Sequence, residues 1–500
     1  ICGSNIPLLS FPSSVVLRFR GLCFIRRNPT VIFTLMPNEN VFPLFEQKMQ
    51  SLGVGVACIQ AFRGNYEKLL AGDFGTLPES AIAPLAEVPD FAEVTGRTDA
   101  SLLGQTVILK LNGGLGTGMG LAKPKSLLPI KQTDTFLDFI VRQILHLRRE
   151  TAQPLAFLLM NSRSTQADTR MFLARYPELG EPAELELLQG YVPKVDAKTM
   201  EPVSWPASPD LEWCPPGHGD LYASLLGSGW LDRLLARGVR HLFVSNSDNL
   251  GASLDLGLLT YFASSNLSFL MEVAQRTPAD RKGGHLARGH DGRLLLRESA
   301  QCPDTDLKSF QDVDRHRYFN TNNLWIRLDH LKQKLDASNG ILPLPLITNR
   351  KNVDPRDRTS PEVFQLETAM GAAIGTFDQT GAVLVPRSRF APVKTTSDLL
   401  AIRSDAYDIT PDWRLALNPA RKGRPPLIEL DNHHYKTVDQ LDRFIPVPPS
   451  LRDSERLELK GPIEIAAGVV FQGVVTATNP ASEPRLLAAG VYRDTTIQCD

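Results

Sequence analysis

The segment Leu111–Ser126 reads LNGGLGTGMGLAKPKS, with glycines at 113, 114, 116, 118 and 120. It follows directly on Thr106–Leu111 (TVILKL), a short β-branched and apolar run. No helix or strand tolerates glycine at that density, so the chain must leave a strand there and turn tightly. Glycine also lets backbone N–H groups approach an anion closely, and Lys123 and Lys125 supply cations at the exit. Strand, glycine-rich turn and basic exit together predict a phosphate cradle. It is not a P-loop: Pro124 stands before Lys125-Ser126 where GxxxxGK[ST] needs glycine. It is not a dinucleotide fingerprint either, because the GxG starts at 114, 116 and 118 put Met119, Leu121 and Lys123 at the last position.

More apolar runs follow: Leu155–Met160, His241–Ser245, Ser268–Val273 and Asn323–Arg327. Helix-like stretches lie between them, at Phe136–Leu147 and Asp220–Arg237, the latter closed by Gly238. Buried strands alternating with helices predict an α/β domain over about 104–403. Before it, apolar residues at 45, 49, 52, 56, 59, 62, 66 and 69–70 keep the helix period, so 36–103 is read as a helical N-terminal region. After it, polar and proline-containing residues lead into short β-rich pieces within 455–497, so 404–500 is read as a linker and a small β domain. Those pieces recur only at a loose interval, with no clear sequence repeat.

The 54 Lys+Arg against 55 Asp+Glu of the 500 residues leave no basic footprint for nucleic acid. No apolar run reaches the ~18 residues of a membrane span. The six cysteines (2, 23, 58, 214, 302, 499) have no CxxC spacing, which argues against a structural zinc and fits a reducing, cytoplasmic setting. Residues 1–35 carry four arginines and no acid, and open on Ile1. This stretch is read as a non-native extension or a targeting-like segment, and left out of the fold.

The glycine loop resembles the nucleotide-sugar pyrophosphorylase signature, G-x-G-T-x-M-G followed by P-K. Its Leu-Asn-Gly-Gly opening is similar to the UTP–glucose-1-phosphate uridylyltransferase family. LLQGYVPK (187–194), PPGHGD (215–220), FVSNSDN (243–249), FNTNNLW (319–325), QLETAMGAAI (365–374) and PRSRFAPVKTTSDL (386–399) agree in order and spacing. The resemblance covers roughly Phe45 to the C-terminus. It implies a Rossmann-like, GT-A-like nucleotidyltransferase domain with a mixed sheet, and a small left-handed β-helix-like C-terminal domain. It implies Mg²⁺-dependent transfer of UMP from UTP to α-D-glucose 1-phosphate, by direct attack of the sugar phosphate on the α-phosphorus.

The roles it implies fall on definite residues. Lys125 is the catalytic lysine, and Lys394 contacts the UTP phosphates and helps at the transition state; Lys123 is a supporting cation. UTP is met by Leu111, Asn112, Gly113, Gly114, Gly116, Thr117, Met160, Gln189 and Gly217. Gln189 has an amide suited to the N3–H and carbonyls of uracil. The sugar phosphate is met by Gly114, His218, Asn246, Ser247, Asp248, Glu272 and Asn322, with Asn320 and Asn323 beside it. Asp248, after a buried strand, is the Mg²⁺ ligand. Asp220 is read as a helix cap, and Glu367 as a cap or a pairing partner. Two alternatives stay open: another sugar 1-phosphate, including an N-acetylhexosamine, or a non-catalytic UDP-sugar binder. The C-terminal domain leaves monomer or homo-oligomer open.

Overall fold

The computed structural model describes residues 41–499 in full, together with backbone strands at Leu17–Phe19, Leu22–Arg27 and Thr30–Leu35. The reading of 1–35 as an extension or targeting-like segment lies outside the fully described residues.

The N-terminal helical period is real but interrupted. Helices α1 (Phe42–Ser51) and α2 (Val56–Leu70) are separated at Gly53, whose φ of +69° ends the first helix. Phe45, Met49, Phe62 and Tyr66 face one another, with the Phe45 and Tyr66 rings 4.8 Å apart, and pack on Val192, Cys214 and Leu366. The two helices therefore sit against the loops that carry the later motifs.

The centre is a ten-stranded mixed sheet. Its strands are β1 (Ile82–Pro84), β2 (Thr106–Asn112), β3 (Ala156–Asn161), β4 (Glu186–Leu188) and β5 (His241–Asn246), then β6 (Phe269–Gln275), β7 (His285–Gly289), β8 (Leu294–Arg297), β9 (Tyr318–Arg327) and β10 (Thr380–Leu384). Strands β4, β3, β2 and β5 run parallel in that order. β9 is antiparallel to β5 on one edge and to β6 on the other. β10 runs parallel to β6, and β7, β8 and β1 extend the antiparallel part.

β2 has no polar alternation because both of its faces are covered. Val107 and Leu109 pack with Leu158, Leu242 and Val244 on one face. Ile108 packs with Phe157, Leu159 and Phe243 on the other, under helix α3 (Phe136–Thr151). Thr135 and Asp138 form a capping box that starts α3. The stretch 220–237 is two helices, α4 (Leu221–Gly227) and α5 (Trp230–Ala236), rather than one. Gly229, at φ +72°, breaks it. The parallel strands end together at Asn112, Asn161 and Asn246, and that edge is where an open α/β sheet receives its ligand.

Beyond the ten-stranded sheet, β11 (Leu427–Leu430), β12 (Ser450–Lys460), β14 (Val469–Thr478) and β16 (Gly490–Gln498) stack in parallel, and β13 (Ile463–Ile465) pairs in parallel with β15 (Arg485–Leu487). Leu457 lies opposite Val475, and Val475 opposite Thr495. The chain thus returns to the same place coil after coil. The repeat is one of geometry: Leu457, Ile463, Phe471 and Val475 fill the interior with different side chains. No described helix is long and apolar enough to cross a membrane.

Candidate active site

The glycine loop leaves β2 and folds over its end. Gly116 and Gly120 sit at φ +65° and +77°. At Gly116 a side chain would meet Leu121 and the stem of Lys125 as well as the strain of that backbone. The Lys125 N–H donates to the Gly114 carbonyl (3.0 Å), which closes the loop on the residue that follows it. The N–H groups of Gly114, Leu115 and Gly116 have no acceptor among the described residues. Gly114 and Thr117 are exposed. Unbonded amides on an exposed turn are donors that can bind an anion.

Lys125 Nζ lies 2.7 Å from Asp248 Oδ2. Both are partly open to the crevice, at 15% and 22% side-chain exposure, so neither is locked away from a ligand. The Ser247 N–H donates to the Leu111 carbonyl (3.1 Å), tying the Asp248 turn to the root of the glycine loop. Lys394 arrives from the other side. The Val393 N–H donates to the Asp248 carbonyl (3.2 Å), and Asn249 bridges to Pro392. The Lys394 side chain is exposed, and the next residues start the helix Thr396–Arg403 through a Thr395–Asp398 capping box. Lys123 is exposed, with no hydrogen-bond partner among the described residues.

At the other end of the crevice, the Gln189 N–H donates to the Asn161 carbonyl at the end of β3, and its Nε2 donates to the Gly217 carbonyl (2.9 Å). Gly217 has φ +79°, and a Cβ there would stand 2.5 Å from the Thr368 carbonyl oxygen. Only glycine fits both constraints. His218 Nδ1 accepts the Met370 N–H (2.9 Å), so the neutral ring carries its proton on Nε2. Burial holds its pKa down to about 4. His218 is therefore a neutral donor near pH 7, not a cation.

On the sugar side, Asn322 takes φ +60°, a left-handed conformation stabilised by its exchange of hydrogen bonds with Asn320 (both 2.9 Å). It sits where β6 and β9 shift register between Glu272 and Val273.

The structure corrects four expectations. Glu272 has no oxygen to spare for a sugar. It is fully buried, with Oε1 accepting from Arg389 Nη2 (2.8 Å) and Trp325 Nε1 (3.0 Å), and Oε2 from Arg389 Nε (2.8 Å) and Asn323 Nδ2 (3.0 Å). Met160 is 2% exposed and belongs to the core with Leu187 and Leu221, so it offers no surface to a base. The Asn112 side chain is also buried, donating to Asn161 Oδ1 (2.7 Å) and Thr169 Oγ1 (3.0 Å). It braces the loop from below. Asp220 makes no helix cap: its Oδ2 accepts the Gly190 N–H and the Ser224 hydroxyl (each 2.6 Å), and burial pushes its pKa up. Glu367 is paired with Asn349 Nδ2 (2.9 Å).

One carboxylate here carries no role in the sequence reading. Glu298 lies against Gly284, where a Cβ would come within 2.5 Å of its Oε2, and its charge is felt by its neighbour Asn320. Burial raises its pKa, while Asn320 and the charge of Lys394 lower it. Its only local signal is a carboxylate at the end of the apolar run Leu294–Leu296.

A family model described as UTP–glucose-1-phosphate uridylyltransferase matches residues 59–472. The enzyme of that name from Solanum tuberosum is 40% identical over 402 residues, covering 80% of this chain and 81% of that one. Its namesake from Saccharomyces cerevisiae is 41% identical over 378 residues, covering 75% and 74%. Among solved structures, a mutant UDP-glucose pyrophosphorylase from Leishmania major in complex with UDP-glucose is 46% identical, with a TM-score of 0.87 over 92% of this chain and 99% of that one. A structure described as UDP-glucose phosphorylase from Trypanosoma brucei is 46% identical, with a TM-score of 0.85 over 92% and 100%.

Proposed function

This chain belongs to the UTP–glucose-1-phosphate uridylyltransferase family, nucleotidyltransferases that convert UTP and glucose 1-phosphate to UDP-glucose, and we propose that it does so by a single in-line displacement. An oxygen of glucose 1-phosphate attacks the α-phosphorus of UTP, the bond to the bridging oxygen of the β-phosphate breaks, and pyrophosphate leaves. The observation that carries this reading is the meeting of three elements at one strand edge. They are the open amides of the glycine loop, the Lys125–Asp248 pair at 2.7 Å, and the segment that delivers Lys394. Phosphoryl chemistry needs positioning and charge stabilisation more than covalent help.

The loop amides take the UTP phosphates and Lys125 faces the α-phosphate. Lys394 adds a second cation as charge builds toward pyrophosphate. Gln189 and Gly217 read the uracil edge. His218 donates its Nε2 proton to the sugar phosphate without adding charge. Asn322, with Asn320 and Glu298 beside it, meets the sugar hydroxyls.

Asp248 is the residue that would hold Mg²⁺. Among the described residues there is no cluster of three His, Cys, Asp or Glu side chains. Mg²⁺ commonly takes one or two carboxylates and completes its shell with substrate phosphates and water, so a single carboxylate facing phosphates fits it. When bound, the ion would neutralise charge on the phosphate oxygens.

The finer features of the fold are part of the same proposal. The parallel β2–β5 core with its ligand edge supports a GT-A-like domain. The parallel stacking of β11–β16 supports a β-helix-like one, taken as left-handed from the resemblance. Buried thiols at Cys58 and Cys214 support a reducing compartment, the cytoplasm.

UTP made chiral by sulfur at the α-phosphorus tests the displacement. A single in-line step inverts the configuration in UDP-glucose. Retention would require a covalent uridylyl-enzyme and would refute the proposal.

A further inference from the structure

We propose that Asn249 is a positioning residue: its side-chain amide clasps the Pro386–Lys394 segment to the Asp248 turn and so fixes Lys394 relative to Asp248. The inference rests on the roles given above to those two residues.

Asn249 is 1% exposed and directly follows Asp248. Its Oδ1 accepts the Ala391 N–H (3.0 Å), and its Nδ2 donates to the Arg389 carbonyl (3.1 Å). One amide thus reads a donor and an acceptor on the opposing backbone, as a neighbouring strand would. The main chains touch on either side of it, through the Val393 N–H to the Asp248 carbonyl and the Asn249–Pro392 bridge. Gly251 permits the approach, since a Cβ there would fall 2.3 Å from the Ser388 carbonyl oxygen.

From the clasp the Arg389 side chain runs inward to Glu272 and to the Ser253 carbonyl (3.0 Å). Asn323, one residue beyond Asn322, donates to the same Glu272. The buried network therefore reaches the Asp248 turn, the Lys394 segment and the strand of the sugar-side asparagines. Lys394 itself is exposed, with a flexible stem. Its backbone attachment is what limits where its ammonium group can be. A displacement of about 1 Å from a productive geometry costs on the order of 10²-fold in rate.

The test is a double-mutant cycle in kcat/KM for UTP, using full-length Asn249→Ala, Lys394→Ala and the double variant, with thermal unfolding to establish that each is folded. Asn249→Ala is expected to lose about 10²-fold, mainly in kcat, because the loop amides that bind UTP are untouched. The double variant is expected to be within about 3-fold of Lys394→Ala, because Asn249 acts through that lysine. Losses that multiply, or Asn249→Ala activity within about 3-fold of the parent, would overturn the clasp while leaving the role of Lys394 intact. A fully active Lys394→Ala would instead remove the role on which the clasp rests. If Asn249→Ala does not fold, Asn249→Ser, which keeps one hydrogen-bonding atom, takes its place in the same cycle.

Discussion

Lys125→Ala is expected to lower kcat/KM by about 10³-fold while the protein stays folded. Removing one preorganised donor from developing charge costs on the order of 10²–10³-fold, and an ammonium group among phosphates belongs at the upper end. Little stability should be lost, because a partly exposed ion pair contributes at most about 1 kcal/mol. The Lys125–Asp248 pair, at 15% and 22% exposure, is of that kind. Lys125→Arg keeps the charge but not its shape and should recover only part of the rate. The measurement is steady-state kinetics beside thermal unfolding. A loss below 10-fold, or a collapse of the fold, would mean that the lysine is structural.

The largest expected effect on stability lies at Glu272. Its two oxygens accept four hydrogen bonds, and its partner Arg389 is 6% exposed. Glu272→Leu would leave the Arg389 guanidinium buried without a counter-charge, with the Trp325 indole N–H and the Asn323 amide unpaired. Breaking such a pair from one side costs about 3–5 kcal/mol, a large share of the 5–15 kcal/mol that holds a typical protein folded. Removing both charges is milder, because no buried ion remains. Glu272→Leu with Arg389→Met should therefore be more stable than Glu272→Leu alone. Urea unfolding midpoints decide it. A single variant within about 1 kcal/mol of the parent would contradict the account of the pair.

What could be read from the sequence was local. The glycine loop, its strand and Lys125 lie within one short stretch, and the glycines alone required the turn. The strand containing His241–Ser245 delivers Asp248 to the same edge because parallel strands end together. Sequence reading failed where a side chain's fate depends on a distant partner. Glu272 looks like any carboxylate at a strand end. Only the fold brings in Arg389, 117 positions away, to occupy it. Met160 sits at the end of a buried strand, where facing the core or facing the crevice give the same pattern. Asn112 opens the motif yet points downward to Asn161 and Thr169. Glu298 carries no role in the sequence reading because its neighbours Gly284, Asn320 and Lys394 come from three separate segments. The break at Gly229 was also hidden, since a helical period continues through a glycine whether or not its φ is positive. The parallel pairing of the C-terminal strands leaves no repeat in the sequence, because stacking needs only apolar interior positions, not the same residues.

The most direct test of the central claim is pyrophosphate release by the purified chain with UTP and Mg²⁺. It should be run with glucose 1-phosphate, galactose 1-phosphate and N-acetylglucosamine 1-phosphate in parallel, with UDP-sugar formation measured in the same samples. The account predicts one pyrophosphate for each UDP-glucose formed, with glucose 1-phosphate the preferred acceptor. Folded protein that binds UDP-glucose yet releases no pyrophosphate with any sugar phosphate would contradict it.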